Sequence, residues 1–259
     1  MKTLQVINWN IKFTGYRKKK FEFLFSLTKE DYCIILQEVT PDIFSQIEKE
    51  YGATHSLAYS LDYRKPGMFD SSARELGVLI LCSKNISIQE SGVVERNVFP
   101  DRTIWATIEW EGRELKVLGL HSITGCGYHR AKSAQYDTFA EFIEDYRPDI
   151  IGIDANEPKE DGLDVEQMMF YNNGNGARCF FRGVKRIGLV DAYIEGNAIT
   201  EYVQGEYLTP SCYVRRKGAV RYDFLFVRKN FKVLTCKYLY EEALEVESDH
   251  ALIVAELSI

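Results

Sequence analysis

The 259 residues carry a net charge of −6 and are 46% hydrophobic, enough apolar material for one large α/β core or two small domains. The acidic balance excludes a protein that coats nucleic acid with a global basic surface. It does not exclude a nuclease, because a carboxylate metal site adds negative charge and basic residues can be clustered. No Ser/Gly tract, long charge run or short-period repeat interrupts the chain, so one domain over 1–259 is expected. Leu4 to Trp9 reads as a buried strand, and Lys18 to Thr28 as a helix with Phe21, Leu24, Phe25 and Leu27 on roughly one face. Tyr32 to Leu36 is the next strand. Pro41 opens a helix to about Tyr51, with Thr40 as its N-cap. This strand–helix–strand–helix opening is typical of α/β architecture.

Leu76 to Cys82, Thr103 to Trp110 and Leu115 to His121 read as strands, the last two joined by a hairpin at Glu111-Gly112-Arg113. Ala131 to Tyr146 is the clearest helix. Ile150 to Ile153 is a short apolar strand. Glu157 to Tyr213 is polar and Gly-containing, and is expected to hold one or two helices, such as Val165 to Tyr171, and long loops over a site. Arg221 to Val227, Phe231 to Leu239 and Ala251 to Leu257 close the chain as strands.

No charged segment followed by a long apolar one precedes the first strand, and no stretch is long and apolar enough to span a membrane. The six cysteines form no CxxC pair, and Cys33 and Cys82 fall inside apolar runs, the pattern of buried free thiols. A cytoplasmic monomer is the expectation.

Five apolar runs end in clusters of Asn, Asp, Glu and His: VINWNIK, IILQEV, LGLHS, IGIDANEP and the terminal pair RYDFLFV and SDHALIV. An open sheet presents chemistry at its strand ends in this way. Together the clusters point to one site for a hard metal and a phosphate. Glu38 ends its strand as a metal ligand or as a helix-start carboxylate. Asn10 offers an amide to the same metal or makes an Asx turn. Asp154 and Asn156 point the same way if their strand persists, to position a water and a phosphoryl oxygen; Asp-Ala-Asn-Glu-Pro is also good turn chemistry. Asp223, inside an apolar strand, needs a partner, and a histidine is a natural one. His121 and His250 both lie at strand ends beside acidic motifs, whereas His55 and His129 lack that setting. Arg102 contacts a phosphate or makes a surface ion pair. Oxygen donors without cysteine or paired histidines favour Mg²⁺, Mn²⁺ or Ca²⁺ over zinc. No HExxH, GxxxxGK[ST] or GxSxG occurs, so zincin, P-loop and serine-hydrolase readings have no support.

In this order, from Asn10 to His250, these motifs resemble the endonuclease/exonuclease/phosphatase superfamily with the DNase I-like fold. The resemblance implies a four-layer α/β/β/α sandwich of two packed mixed sheets, and divalent-metal-dependent cleavage of phosphate esters. The local sequences are most similar to the DNase I branch. Lys12 stands where apurinic-site endonucleases carry an Asp, His121 where they have a tyrosine and Val220 where they have a tryptophan. Glu75 falls where DNase I has the glutamate that pairs with its first catalytic histidine. The inositol-polyphosphate phosphatase Trp-Cys-Asp-Arg run is absent.

The resemblance implies that Glu38, Asn10 and Asp249 hold Mg²⁺, and that Arg102 and Asn156 meet the phosphate. His250, oriented by Asp223, takes a proton from a water that Asp154 positions; His121, held by Glu75, protonates the leaving oxygen. DNA is the expected substrate. A phosphatase or a sphingomyelinase-like phosphodiesterase on a phosphoinositide, lipid or nucleotide is the alternative, and a catalytically dead binding module a third reading. Thr124 to Arg130 and Arg178 to Arg216 are the expected substrate loops. Arg215, Arg216, Lys217 and Arg221 form a basic cluster for a nucleic-acid backbone or a solvated hairpin.

Overall fold

The computed structural model describes residues 2–64, 75–125, 129–171, 174–215 and 217–258. Strand β1 (Thr3–Asn10), helix α1 (Lys18–Ser26), strand β2 (Tyr32–Val39) and helix α2 (Pro41–Tyr51) open the chain. Strands β3 (Ser56–Tyr59), β4 (Gly77–Cys82), β5 (Ser87–Gly92), β6 (Thr103–Trp110) and β7 (Arg113–His121) follow. Helix α3 (His129–Tyr146) leads into β8 (Ile150–Asp154), then α4 (Gly174–Arg186), β9 (Leu189–Asp191) and α5 (Ala192–Gly196). A hairpin of β10 (Cys212–Val214) and β11 (Gly218–Val220) precedes β12 (Asp223–Arg228), β13 (Lys232–Leu239), α6 (Tyr240–Glu245) and β14 (Leu252–Ser258).

The strands form two six-stranded sheets, ordered β13-β14-β1-β2-β4-β3 and β5-β6-β7-β8-β12-β9. Both are mixed: β1–β2 and β7–β8 are parallel, and their other neighbours antiparallel. Period-2 alternation decides which side chains meet between the sheets. Leu4 and Val6 of β1, Cys33 and Ile35 of β2, Val117 of β7, Ile150 of β8, Leu225 of β12 and Ile253 of β14 share the core between the sheets. The opposite set faces the helices. Ile7, Trp9, Ile34 and Leu36 pack with Phe21 and Leu24 of α1 and Ile43 and Ile47 of α2. Leu118, Leu120, Ile151 and Phe224 pack with Phe139 of α3 and Phe180 of α4. The result is the expected α/β/β/α sandwich.

Local chemistry explains several boundaries. The Thr40 side chain accepts from the Ile43 N–H and Pro41 occupies the first turn of α2. Glu111 and Gly112 both have positive φ, 53° and 69°, as a two-residue turn of the mirror-image type requires between β6 and β7. The described cysteines are free, with Cys33 opposite Cys82 in the sheet.

The segment Val165–Tyr171 is not the expected helix. It forms turns, and Met169 pairs through its backbone with Glu160. The helix lies further on, in α4, where Ala177, Phe180, Phe181 and Val184 fall at helical spacing and are buried. Gly174, Gly176 and Gly183 dilute that pattern in the sequence. Most of the proposed loop Arg178–Arg216 is therefore α4, β9 and α5, and Cys126–Tyr128 and Arg216 lie outside the described residues.

Candidate active site

The inward-facing positions of both sheets change from apolar to polar at one end of the sandwich. In the second sheet Asp154 is registered against His121 on one side and Asp223 on the other. In the first sheet Asn10 is registered against Gln37, and His250 lies two residues before β14. Below them Asn8 is fully buried between the sheets, where it accepts from Gln37 Nε2 at 2.7 Å. A side chain at Gly152 would overlap Asn8 Oδ1, so glycine lets the two sheets close beneath the site.

Glu38 reaches this end by a departure from strand geometry. Simple alternation would send it outward with Ile34 and Leu36. A register shift between Gln37 and Val39 and a φ of 60° at Glu38 turn it instead, and Glu38 Oε1 stands 3.9 Å from His121 Nε2 across the sheets. A bulge that re-aims one side chain is a recurrent device beside active sites. Lys12 (φ 57°) and Asn156 (φ 47°) are also left-handed just past strands β1 and β8. Non-glycine residues held there cluster at functional sites.

His250 Nδ1 is 2.9 Å from Asp223 Oδ2, the partnership expected for a strand-interior Asp. Asp154, Asp223 and His250 each bring one ligand-type atom within 4.8 Å of the others. Burial works against the charged imidazolium of His250, but Asp223 and then Asp154 outweigh it and hold its pKa well above the usual range. Burial pushes the Asp154 carboxyl up to about 7, with Asp223 and Glu38 adding to the rise and His250 and the Asn10 hydrogen bond opposing it. Asn10 Nδ2 donates to Asp154 Oδ2 at 2.8 Å, and the Lys12 N–H donates to Asn10 Oδ1 at 3.0 Å. Ser248 Oγ donates to the Asn10 carbonyl at 2.8 Å, and Trp9 Nε1 to the His250 carbonyl at 3.0 Å. These two donors tie β1 to the His250 segment. Neither was evident in the sequence, where Ser248 and Trp9 read only as neighbours of the motif residues.

Four expected placements differ. Glu75 is exposed before β4 and makes no ion pair with His121 among the described residues. Arg102 occupies that role: its Nη1 lies 2.8 Å and 3.1 Å from the two ring nitrogens of His121. A cation stands where an anion was expected, so burial, Arg102 and His250 together lower the His121 pKa and leave a neutral ring at neutral pH. Asn156 does not share a strand face with Asp154, because β8 ends at Asp154 and the backbone turns left-handed. Its Nδ2 donates to the Ser122 carbonyl at 2.9 Å. Asp249 is half exposed, pairs with Lys12 Nζ at 3.3 Å and stands outside the Asp154–Asp223–His250 cluster. Arg221 belongs to no basic surface: it is fully buried, bound to Asp191 and 3.6 Å from Asp161.

The donor set fits a hard divalent cation. Three carboxylates, Glu38, Asp154 and Asp223, converge with an amide and no lysine, and buried Asp223 Oδ1 accepts no hydrogen bond among the described residues. Such an accumulation of buried negative charge calls for a counter-cation.

No protein-family model matches the sequence, and comparison with curated proteins gives no match. Solved structures do match. The Neisseria 3′ phosphatase NExo bound to product DNA hairpin has a TM-score of 0.69 at 18% identity, covering 98% of this chain and 99% of that one. D. rerio TDP2 complexed with single strand DNA product has a TM-score of 0.67 at 15% identity, with 100% of both chains covered. The endonuclease/exonuclease/phosphatase from Bacteroides vulgatus has a TM-score of 0.66 at 14% identity, again with 100% of both covered. The chain shares the fold of these structures, the DNase I-like α/β/β/α sandwich.

Proposed function

We propose that the protein is a divalent-metal-dependent phosphoric ester hydrolase, a nuclease acting on DNA. The observation that carries this reading is the His250–Asp223 pair with Asp154 beside it, at the polar end of this sandwich. The matching TDP2 and NExo structures hold DNA products, which supports a nucleic-acid substrate. Glu38 and Asn10 would hold the metal, with Mg²⁺ the first choice and Mn²⁺ or Ca²⁺ compatible with the same oxygen donors. When bound, the cation supplies positive charge against the phosphoryl oxygens.

His250, its Nδ1 fixed by Asp223, takes a proton from the attacking water through the other ring nitrogen. That step needs the unprotonated ring; a cation held by Glu38 and Asn10 beside Asp154 would add positive charge there and lower the proton affinity of the imidazole, while Asp223 keeps its hydrogen bond to Nδ1. Asp154 aligns the water. Arg102 places a guanidinium against the phosphate side of His121. The arriving anion raises the affinity of His121 for a proton, which it passes to the leaving oxygen. In this reading residues 1–259 act as one domain, as a monomer in the cytoplasm.

Supercoiled plasmid with and without Mg²⁺ tests the proposal. Wild type is expected to nick DNA only with the metal, and His250→Ala to lose at least about 100-fold, the scale of general-base removal. Full nicking by His250→Ala would refute the assigned base. A second reading, a phosphatase on a smaller phosphate ester, is favoured by the net charge of −6 and by the 3′ phosphatase named in one matching structure. Wild type that is folded and leaves plasmid intact, but releases phosphate from a nucleotide or phosphoinositide, would select it.

A further inference from the structure

Lys20 is a buried lysine that the chemistry above does not use. It is 1% exposed, on the apolar face of α1 beside Phe21 and Leu24. No carboxylate lies within ion-pairing distance of its ammonium among the described residues. Its Nζ donates instead to two successive backbone carbonyls, those of Ile11 and Lys12, the second at 3.2 Å. A buried cation without an anion is costly, so these contacts need a use.

The two carbonyls belong to the left-handed turn that follows β1. That turn aims two N–H groups at the candidate metal-holding side chains. The Lys12 N–H donates to Asn10 Oδ1 at 3.0 Å, and the Phe13 N–H donates to Glu38 Oε2 at 3.0 Å. The turn is strained, with φ of 57° at Lys12, a conformation that a non-glycine residue keeps only when its surroundings impose it. The ammonium bonds both carbonyls of this turn, and the Lys12 carbonyl also accepts from the Thr14 N–H at 2.8 Å.

We infer that Lys20 is a positioning residue for the metal site: its ammonium clamps the Ile11–Phe13 turn so that two backbone N–H groups fix the orientation of Asn10 and Glu38. Lys20 touches neither metal nor substrate. It acts through the peptide groups of the turn, as partners behind metal ligands do in other sites, where their loss weakens metal binding about 10–100-fold. The inference rests on the metal reading under Proposed function.

Lys20→Met separates this role from a structural one. Methionine fills the same volume and removes the donors and the charge. Replacing a poorly paired buried charge with an apolar group is often neutral or stabilising, so the melting temperature of the metal-free variant is expected to stay at or above that of wild type. Mn²⁺ affinity, read by calorimetry or by the spin resonance of free Mn²⁺ without substrate, is expected to fall about tenfold or more. The Mg²⁺ concentration for half-maximal activity should rise in parallel, with kcat at saturating Mg²⁺ largely kept. Lys20→Gln removes the charge and ends its amide nitrogen one bond short of the two carbonyls, so it too is expected to lose Mn²⁺ affinity about tenfold. It also serves as the test variant if Lys20→Met does not fold, and unchanged Mn²⁺ affinity in folded Lys20→Gln would then overturn the clamp. Unchanged Mn²⁺ affinity in folded Lys20→Met overturns the inference and leaves the metal site standing. Wild type that binds no Mn²⁺ overturns the metal reading itself.

Discussion

Asp154 is buried, with a second carboxylate opposite it in the sheet, and burial pushes its pKa up to about 7. A cation held among Glu38, Asn10 and these aspartates favours the ionised form. Metal affinity should therefore climb as pH rises through about 7, with protons released on binding. Titrations of Mg²⁺ in two buffers of different ionisation enthalpy measure the release, and none at neutral pH would contradict the assignment. The stability sign follows from the same shift. The folded-state value lies above the ordinary 3.8, so the folded protein binds more protons than the unfolded chain between those values. Stability contributed by this group falls as pH rises from about 3.8 to about 7 and levels off above. Asp154→Asn should thus be inactive, yet at pH 8 in the absence of metal no less stable than wild type by thermal unfolding. A large drop in melting temperature would mean that Asp154 holds the fold as well as the chemistry.

At the scale of elements, the ends of β1, β7, β8, β12 and β14 carry the site because alternation places Asn10, His121, Asp154 and Asp223 on the inner faces. That much was legible in the sequence. The apolar runs fixed the strands, and an Asp inside one of them demanded a partner, which is His250. Glu38 was legible as a residue but not in its aim, since nothing in IILQEV marks a bulge or a positive φ at a glutamate. The partner of His121 was misread for a related reason. Glu75 and Arg102 are both distant from it in sequence, and only the packing of the segment before β6 decides between them. Lys20 was hidden in the run Arg17-Lys18-Lys19-Lys20, where only its helical spacing to Leu24 separates it from solvated neighbours. Closure of the sheets beneath the site depends on Gly152. Gly152→Ala should cost about 1–3 kcal/mol through overlap with Asn8, read as a lowered denaturant midpoint with an unchanged slope.

Across the whole molecule the site is divided between sheets: Asn10 and Glu38 come from one, with His250 in the segment that leads into its β14, and His121, Asp154 and Asp223 from the other. Buried ion pairs brace the second half. Arg221 binds Asp191, lies 3.6 Å from Asp161 and donates to the Tyr238 hydroxyl at 3.3 Å, which in turn donates to the Asp223 carbonyl at 2.7 Å. Arg221→Ala leaves two buried carboxylates without their cation and should cost about 3–5 kcal/mol, measured by urea unfolding. A loss below about 1 kcal/mol would place the network among contacts that add little.

The order of strands along the chain gives this division a consequence in time. The sheet that holds Asn10 and Glu38 is completed by β14, which returns from the far end of the sequence to pair with β1. A ribosome, which releases the N-terminal side of a chain first, therefore exposes Asn10 and Glu38 long before His250. Until His250 and β14 emerge, β1 lacks its antiparallel partner and the Asp223–His250 pair cannot form. On the reading proposed above, hydrolytic activity would then arise only once the last strand has paired.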